Sequence, residues 1–191
     1  LSTAEVEELR KQFPILSRIG RDGRPIVYLD ASATSQKPQR VIDAESAFYS
    51  QHNAAVNRGT HMLGDESTSA FEQARETVAN FVNARPEEIV WTKNATEAIN
   101  LVAYAMSNAT AGMGGPESAR MKVGPGDRIV ATRAEHHANL LPWQELAKRT
   151  GAEFAYLDLD PDGRIDLNTL DVITENTKLV AFTHVSNVTG A

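Results

Sequence analysis

The sequence predicts an α/β fold with a mainly parallel sheet and helices on both of its faces. From residue 88 onward, short runs rich in β-branched and aromatic residues alternate with longer runs whose apolar residues recur at helical spacing. Strands that alternate with helices pair mostly in parallel, because each crossover helix returns the chain to the same end of the sheet. Hydrophobic residues make up 41% of the 191 residues, which is enough for a core at this length.

The first part of the chain predicts helices and one extended segment. The first helix begins near Ser2, which stands with Glu5 at the spacing of a capping box. A β-branched and aromatic run at 25–30, PIVYLD, predicts a strand or an extended arm. A proline in the first turn favours a helix over 38–52, and apolar residues at helical spacing favour another over 67–84. The glycine-containing segment between these two helices is expected to be a loop.

The second half of the chain predicts strands and helices in alternation, interrupted by one long loop. That loop, at 108–127, is polar, glycine-rich and aperiodic, so we expect it on the surface. Its GMGG sequence follows a helix and lacks the spacing of a dinucleotide-binding loop. The predicted strands are 88–92, 127–132, 153–159 and 178–185, and the predicted helices are 95–108, 139–151 and 166–174.

Composition and charge argue against several classes of partner. The 19 basic and 25 acidic residues give a net charge of −6, which disfavours nucleic acid because such binding relies on Lys and Arg at phosphates. No apolar stretch is long enough to cross a bilayer, and the N-terminal segment is a charged amphipathic helix rather than a signal peptide, so no membrane partner is expected. With no cysteine, no disulfide framework is possible, and a cytoplasmic location is expected.

Polar residues follow the predicted strands at the places where ligands usually bind. In open α/β sheets, ligands gather beyond the carboxyl ends of the strands. Thr96, His136 and Asn187 each follow a predicted strand, so we expect their loops to converge at one edge of the sheet. At Thr96 a helix begins, and its first backbone N–H groups favour an anion. Simple capping of that helix by Asn94 or Thr96 is the alternative.

Two adjacent histidines, His136 and His137, stand before an apolar run that predicts a helix. A metal site is disfavoured because adjacent side chains diverge and neither cysteine nor an HxxxH spacing is present. A nucleophilic triad is disfavoured because no GxSxG elbow accompanies the pair. Two interpretations stay open. One histidine caps the next helix while the other is exposed, or an imidazole lies as a flat plate against a planar cofactor ring.

Six motifs follow one another along the chain, namely YLDASATSQKP, RGTHMLG, KNATEAINLV, EHHANLLPWQ, DGRIDL and AFTHVSNVTG. Together they resemble the cysteine desulfurases of the iron–sulfur cluster assembly type, which are class V, fold-type I pyridoxal-phosphate enzymes. The resemblance covers nearly all of this chain and only the first part of a family member. It implies the pyridoxal-phosphate-binding large domain over residues 25–191, incomplete in this chain, preceded by an N-terminal helix and arm over residues 1–24.

The resemblance also implies roles for individual residues toward pyridoxal 5'-phosphate. It makes His136 the residue that stacks on the pyridoxal ring and can relay protons, while His137 supports the loop. It places Ala95 and Thr96 at the cofactor phosphate, in agreement with the argument from the helix start. It places Asn187 at the phenolic oxygen of the cofactor, where an amide donor influences the electronics of the ring.

Other functional residues of the family are not expected within this chain. A predicted strand ends near residue 185 and no helix follows it, so we expect the chain end to be a cut within a longer protein. The resemblance implies that the Schiff-base lysine, the aspartate at the pyridine nitrogen, the catalytic cysteine and the substrate-binding arginine all lie beyond residue 191. The chain departs from the family pattern at Ala31, where serine is common, and at Asn57, where histidine is common.

The activity implied by the resemblance is that of a cysteine desulfurase. Such an enzyme converts L-cysteine to L-alanine and passes the sulfur, as a persulfide, to an acceptor protein of iron–sulfur cluster assembly. A homodimer is implied, because fold-type I enzymes build their sites at a dimer interface. A selenocysteine lyase or another class V enzyme is one alternative, and a non-catalytic structural fragment is another. The isolated chain is expected to be inactive.

Overall fold

A computed structural model describes residues 1–190 of the chain. The chain divides into two compact units, Leu1–Val90 and Trp91–Ala191. Within the described residues, no helix combines the length and the apolar composition that are needed to cross a membrane.

The first unit is helical, with α1 over Thr3–Lys11, α2 over Gln39–Ala47 and α3 over Met62–Phe81. The predicted capping box of α1 is confirmed. The Glu5 backbone N–H donates to the Ser2 hydroxyl over 3.3 Å, and the Ser2 N–H donates to the Glu5 carboxylate over 2.7 Å. These two bonds satisfy backbone donors that otherwise have no partner at a helix start. The helix predicted over 38–52 is confirmed as α2 and the π-helical turn Phe48–His52 that continues it.

Helix α3 begins earlier than predicted, because its cap is a histidine. The His61 Nδ1 atom accepts the Gly64 backbone N–H over 3.3 Å, and the helix therefore starts at Met62 inside the expected loop. Gly64 is buried against the backbone of Gly59, and a Cβ added at Gly64 would lie 2.8 Å from the Gly59 Cα. Only a residue without a side chain fits that approach. Asn57 adopts φ 58°, a left-handed conformation in which asparagine is favoured over most residues.

The run PIVYLD at 25–30 is not a strand. Its one ladder contact is an antiparallel bridge between Pro25 and Ile19, and Val27 and Leu29 are largely exposed. A β-branched run forms a strand only where a neighbouring strand pairs with its backbone, and none does so here among the described residues. Of the two interpretations offered, the strand is therefore wrong.

The second unit contains a three-stranded, fully parallel sheet in the order β2-β1-β3. Strand β1 spans Arg128–Thr132, β2 spans Glu153–Leu157 and β3 spans Thr177–Ala181. The prediction of a parallel sheet with helices is confirmed. The register pairs Ile129 of the central strand with Phe154 on one side and Leu179 on the other, so these side chains share one face.

Two helices of this unit, α4 over Ala95–Thr110 and α5 over Leu141–Thr150, contribute to one core with β1. Ala131 and Ala181, which pair two residues further along β1 and β3 on the same face of the sheet, belong to the same core. The opposite side of β1 is also buried, at Val130 and Thr132. The buried members of the core are Ala103, Met106, Val123, Ile129, Ala131, Trp143, Leu146, Ala147 and Ala181.

Three sequence predictions from residue 88 onward require correction. The run 88–92 is not a strand, because within residues 1–190 no neighbouring strand pairs with it and its last residues lead into the cap of α4. The segment 166–174 contains a 3-10 helix over Leu167–Val172 instead of an α-helix. The expected surface loop at 108–127 includes the end of α4 and a 3-10 helix over Pro116–Met121, and its Val123 is buried in the core. The glycine content of this segment favoured a surface loop, and its sequence did not indicate that Val123 contacts the core.

Candidate functional site

Thr96 and His136 line the same pocket, although 40 positions separate them in the sequence. The pocket has a volume of about 460 Å³ and runs between the facing sides of α4 and α5. Thr96, Asn100 and Tyr104 of α4 lie along one wall at helical spacing. His136, His137, Glu145 and Arg149 supply most of the polar groups on the other side.

The start of α4 is capped by Asn94, as one of the two interpretations predicts. The Asn94 Oδ1 atom accepts the Glu97 backbone N–H over 2.9 Å, and the Glu97 carboxylate accepts the Lys93 N–H over 2.7 Å. Thr96 is not the capping residue. Among the described residues, no acceptor meets the backbone N–H groups of Ala95 and Thr96, and both residues are exposed. Two donors at the positive end of a 16-residue helix are therefore open to an anion.

His136 also has a capping role, although it caps a 3-10 turn and not the predicted helix α5, whose N-cap is Leu140. Its Nδ1 atom accepts the Ala138 N–H over 3.1 Å and caps the 3-10 helix His137–Asn139. An Nδ1 that accepts a hydrogen bond leaves the proton of the neutral ring on Nε2. The His136 side chain is exposed and lines the pocket. Capping occupies one ring nitrogen and leaves the ring faces for other contacts, so capping and stacking are compatible.

Asn187 does not line the pocket that Thr96 and His136 share. It is exposed, in a turn where the Gly190 N–H donates to the Ser186 carbonyl over 2.9 Å. The loops that carry His136 and Asn187 nevertheless leave the same edge of the sheet, because they follow the neighbouring parallel strands β1 and β3. The expected strand before Thr96 is absent, and α4 itself positions this residue. The structure thus brings Thr96 and His136 together and places Asn187 at the carboxyl edge.

Glu135 is a residue of this region that the sequence argument did not single out. Its Oε1 atom accepts the Thr132 hydroxyl over 2.6 Å and the Thr183 backbone N–H over 2.7 Å. Its Oε2 atom accepts the side-chain amide of Asn139 over 2.7 Å. The side-chain Oδ1 atom of Asn139 in turn accepts the indole N–H of Trp143 over 3.0 Å. We call these five residues the Glu135 network. An acidic residue directly before two histidines, in a loop after a strand, was the available signal.

No cluster of three or more histidine, aspartate or glutamate side chains is arranged to hold a metal ion in residues 1–190. The pocket combines a helix start with open N–H donors, an exposed imidazole and a mixed polar and apolar wall. Such a set suits a planar ligand that carries an anionic group.

Comparison with known proteins identifies the family. A family model described as aminotransferase class-V matches residues 27–191. The chain is 46% identical over 195 residues to a probable cysteine desulfurase 2 of Mycobacterium leprae, covering 100% of this chain and 44% of the relative. It is 48% identical over 188 residues to a probable cysteine desulfurase of Streptomyces coelicolor, covering 97% of this chain and 43% of the relative. The chain thus spans less than half the length of these curated relatives.

Solved structures agree with this assignment. An apo cysteine desulfurase from Thermococcus onnurineus superposes with a TM-score of 0.81 at 36% identity, over 96% of this chain and 41% of that chain. The cysteine desulfurase CsdA from Escherichia coli superposes with a TM-score of 0.74 at 38% identity, over 97% of this chain and 42% of that chain. The family model covers most of the chain, and the folds coincide over nearly its whole length. The chain therefore belongs to the aminotransferase class-V family.

Proposed function

We propose that this chain forms part of a pyridoxal-phosphate-dependent cysteine desulfurase and supplies one side of its cofactor site. The observation that carries the proposal is the pocket in which the open start of α4 and the exposed ring of His136 lie together. The similarity to proteins named as cysteine desulfurases supports the reaction type.

The phosphate of the cofactor would lie at the start of α4. The N–H groups of Ala95 and Thr96 are open donors, and the Thr96 hydroxyl adds a third. The helix dipole favours a negative charge at this end, and each hydrogen bond to a charged phosphate is worth about 1.5–3 kcal/mol. The open donors and the helix dipole thus suit a phosphate group.

The ring of the cofactor would lie against His136. The bond from the Ala138 N–H to Nδ1 fixes the imidazole, so that its face is held in one orientation. The Asn187 amide would donate to the phenolic oxygen, from the loop that leaves the same edge of the sheet. When bound, pyridoxal phosphate supplies an electron sink for the substrate carbon that carries the amino group. In that setting His136 would hold the ring plane and exchange a proton with the substrate.

The overall reaction would be the conversion of L-cysteine to L-alanine, with the sulfur transferred to a cysteine thiolate as a persulfide. This chain contains no cysteine, so the accepting thiolate would come from residues outside these 191. The chain does contain lysines, but the family resemblance implies that the lysine that anchors the cofactor would also come from outside these residues. We propose that the complete enzyme is a cytoplasmic homodimer that passes sulfur to an acceptor protein of iron–sulfur cluster assembly.

Binding of pyridoxamine 5'-phosphate to the 191-residue chain, measured by calorimetry, tests the cofactor site. This probe has no aldehyde and does not react with surface lysines. Ala95→Pro removes one open N–H and is compatible with the fold, because proline is favoured at the first helical position and Asn94 is extended. We expect this variant to bind about tenfold more weakly. Thr3→Pro, at the first position of α1, is the matched control.

Equal affinity of the Ala95→Pro variant and the parent chain would contradict the phosphate site, as would equal binding of pyridoxine, which lacks the phosphate. The reaction is tested on the longer protein by alanine formation from L-cysteine and from L-selenocysteine. A clear preference for selenocysteine would assign a selenocysteine lyase instead, and no turnover of either would indicate a non-catalytic protein.

A further inference from the structure

Both carboxylate oxygens of Glu135 are engaged by donors from three different parts of the second unit. Thr132 lies at the end of β1, Asn139 lies just before α5, and Thr183 follows β3. An ionised carboxylate offers only acceptors and has room for all of these donors. Bonds of this kind are roughly twice as strong as those between neutral groups.

The bond to Thr183 joins two loops that are far apart in sequence. Glu135 and Thr183 are 48 positions apart, and Glu135 directly precedes His136. Thr183 lies just after β3, in the segment that continues to Asn187. The carboxylate of Glu135 therefore holds the loop of His136 to the loop that carries Asn187.

The other side of the carboxylate is fixed to the core. Trp143 is 5% exposed, and its indole N–H can only donate, so the carbonyl oxygen of the Asn139 amide must face it. That requirement turns the Asn139 NH₂ group toward Glu135. The buried Trp143 thus fixes the Asn139 amide, and the Asn139 amide fixes the Glu135 carboxylate. The carboxylate in turn holds the loop of His136 and the loop of Asn187 in place.

We propose that Glu135 is a positioning residue of the cofactor site, one that fixes His136 relative to the segment bearing Asn187. This role rests on the proposed function, because it matters only where the two loops bind one ligand. Glu135 itself does not line the pocket and is not assigned a contact with the ligand.

The network permits a substitution that breaks it and a second that restores it. In Glu135→Gln, an NH₂ group faces the NH₂ group of Asn139, so that two donors oppose one another. If the Asn139 amide rotates, its NH₂ group faces the Trp143 N–H instead. If the glutamine amide rotates, its NH₂ group faces the Thr183 N–H. In Glu135→Gln with Asn139→Asp, the glutamine amide donates to the aspartate, whose second oxygen accepts the Trp143 N–H. The double variant keeps the net charge and the hydrogen-bonded pairs of the parent chain, with the donor and acceptor exchanged between positions 135 and 139.

The experiment measures two quantities on the 191-residue chain and these variants. The first is hydrogen exchange of the Thr183 backbone amide by NMR, with the central-strand amide of Val130 as an internal reference for global unfolding. The second is the affinity for pyridoxamine 5'-phosphate. Glu175→Gln is the matched control, because Glu175 is an exposed glutamate of the same unit with no hydrogen bond or ion pair among the described residues.

In Glu135→Gln we expect Thr183 exchange to accelerate about tenfold while Val130 is unchanged. The affinity for pyridoxamine 5'-phosphate should fall several-fold, and the double variant should restore both quantities. Unchanged Thr183 exchange, or normal affinity despite faster exchange, would overturn the positioning role alone. If the parent chain binds no pyridoxamine 5'-phosphate, the proposed cofactor site of this chain is contradicted and the positioning role falls with it, whereas alanine formation by the longer protein decides the proposed reaction. An altered Thr183 exchange would then show that the network still joins the two loops.

Discussion

His136 combines a local structural contact with a proposed contact to the cofactor, and the two use different parts of the ring. The Nδ1 atom accepts the Ala138 N–H, whereas the exposed ring borders the pocket that Thr96 also lines. A histidine that only capped the turn would be replaceable by any good capping residue. Substitutions can therefore separate the two contributions.

In the complete enzyme, we expect His136→Asn to lower activity about 10²–10⁴-fold, because the ring and its proton relay are lost. Asparagine is a good capping residue, so the 3-10 turn His137–Asn139 should persist in that variant. His137→Ala is the control and should reduce the rate of alanine formation from L-cysteine far less. Equal losses in His136→Asn and His137→Ala would contradict the proposed role.

Glu5 responds to pH through its capping interactions. The backbone N–H and then the hydroxyl of Ser2 hold the pKa of the Glu5 carboxyl below its ordinary value. Because the pKa of Glu5 is lower in the folded state than in the unfolded state, its ionised carboxylate stabilises the helix at pH values above the unfolded pKa. This stabilisation is lost as the pH falls through the folded pKa. We expect α1 to fray as the pH is lowered through the acidic range in which Glu5 becomes protonated.

Titration of Glu5, followed by NMR at its carboxyl carbon, measures the lowered pKa directly. Ser2→Ala removes the hydroxyl and keeps the backbone N–H, so the pKa of Glu5 should move part of the way back toward its ordinary value. No change in that titration on Ser2→Ala would mean that the hydroxyl makes no contribution.

At the scale of elements, α5 is held by apolar burial on one side. Trp143, Leu146 and Ala147 are all buried and belong to the core shared with α4 and β1. The helix ends at Gly151, which has φ 76° and follows the last turn in a left-handed conformation that favours glycine. The sequence predicts both features, since apolar spacing marks the buried side and glycine marks the end.

We expect Leu146→Ala to lower the free energy of unfolding by about 2–5 kcal/mol, because it leaves a cavity beside Trp143 in the core. Leu167→Ala is the matched control, since Leu146 is 2% exposed and Leu167 is 71% exposed. The control should change the free energy of unfolding by about 0.5 kcal/mol or less. Urea unfolding of both variants measures the difference, and similar values for the two would contradict the described core.

At the scale of the whole molecule, this chain should not desulfurate cysteine on its own, even with excess pyridoxal phosphate. The proposed site residues would bind the cofactor, but the chain has no cysteine and therefore no thiolate to accept sulfur. Alanine and sulfide formed from L-cysteine are measured against free pyridoxal phosphate at equal concentration. Alanine formation clearly above that control would overturn this expectation and require another sulfur acceptor within the 191 residues.

The sequence alone predicted the class of the fold and the order of α4, β1, α5, β2 and β3. Runs such as those of β1 and β2 combine β-branched or aromatic residues with a flanking helix pattern, and local propensity is enough to identify them. The six motifs indicated the family, which the family model confirms. The sequence also predicted the open helix start at Thr96, because helix ends leave backbone donors without partners wherever they occur.

Only the tertiary structure decided which of the predicted strands and loops formed as expected. The run at 88–92 has the composition of a strand and forms none, since a strand depends on a neighbour and composition does not specify one. The burial of Val123 within a glycine-rich segment likewise depends on its contacts with the core. The bond between Glu135 and Thr183 spans 48 positions, and only the parallel pairing of β1 and β3 brings its partners together. Local sequence fixes propensity and capping, whereas long-range contacts depend on the way the strands pair.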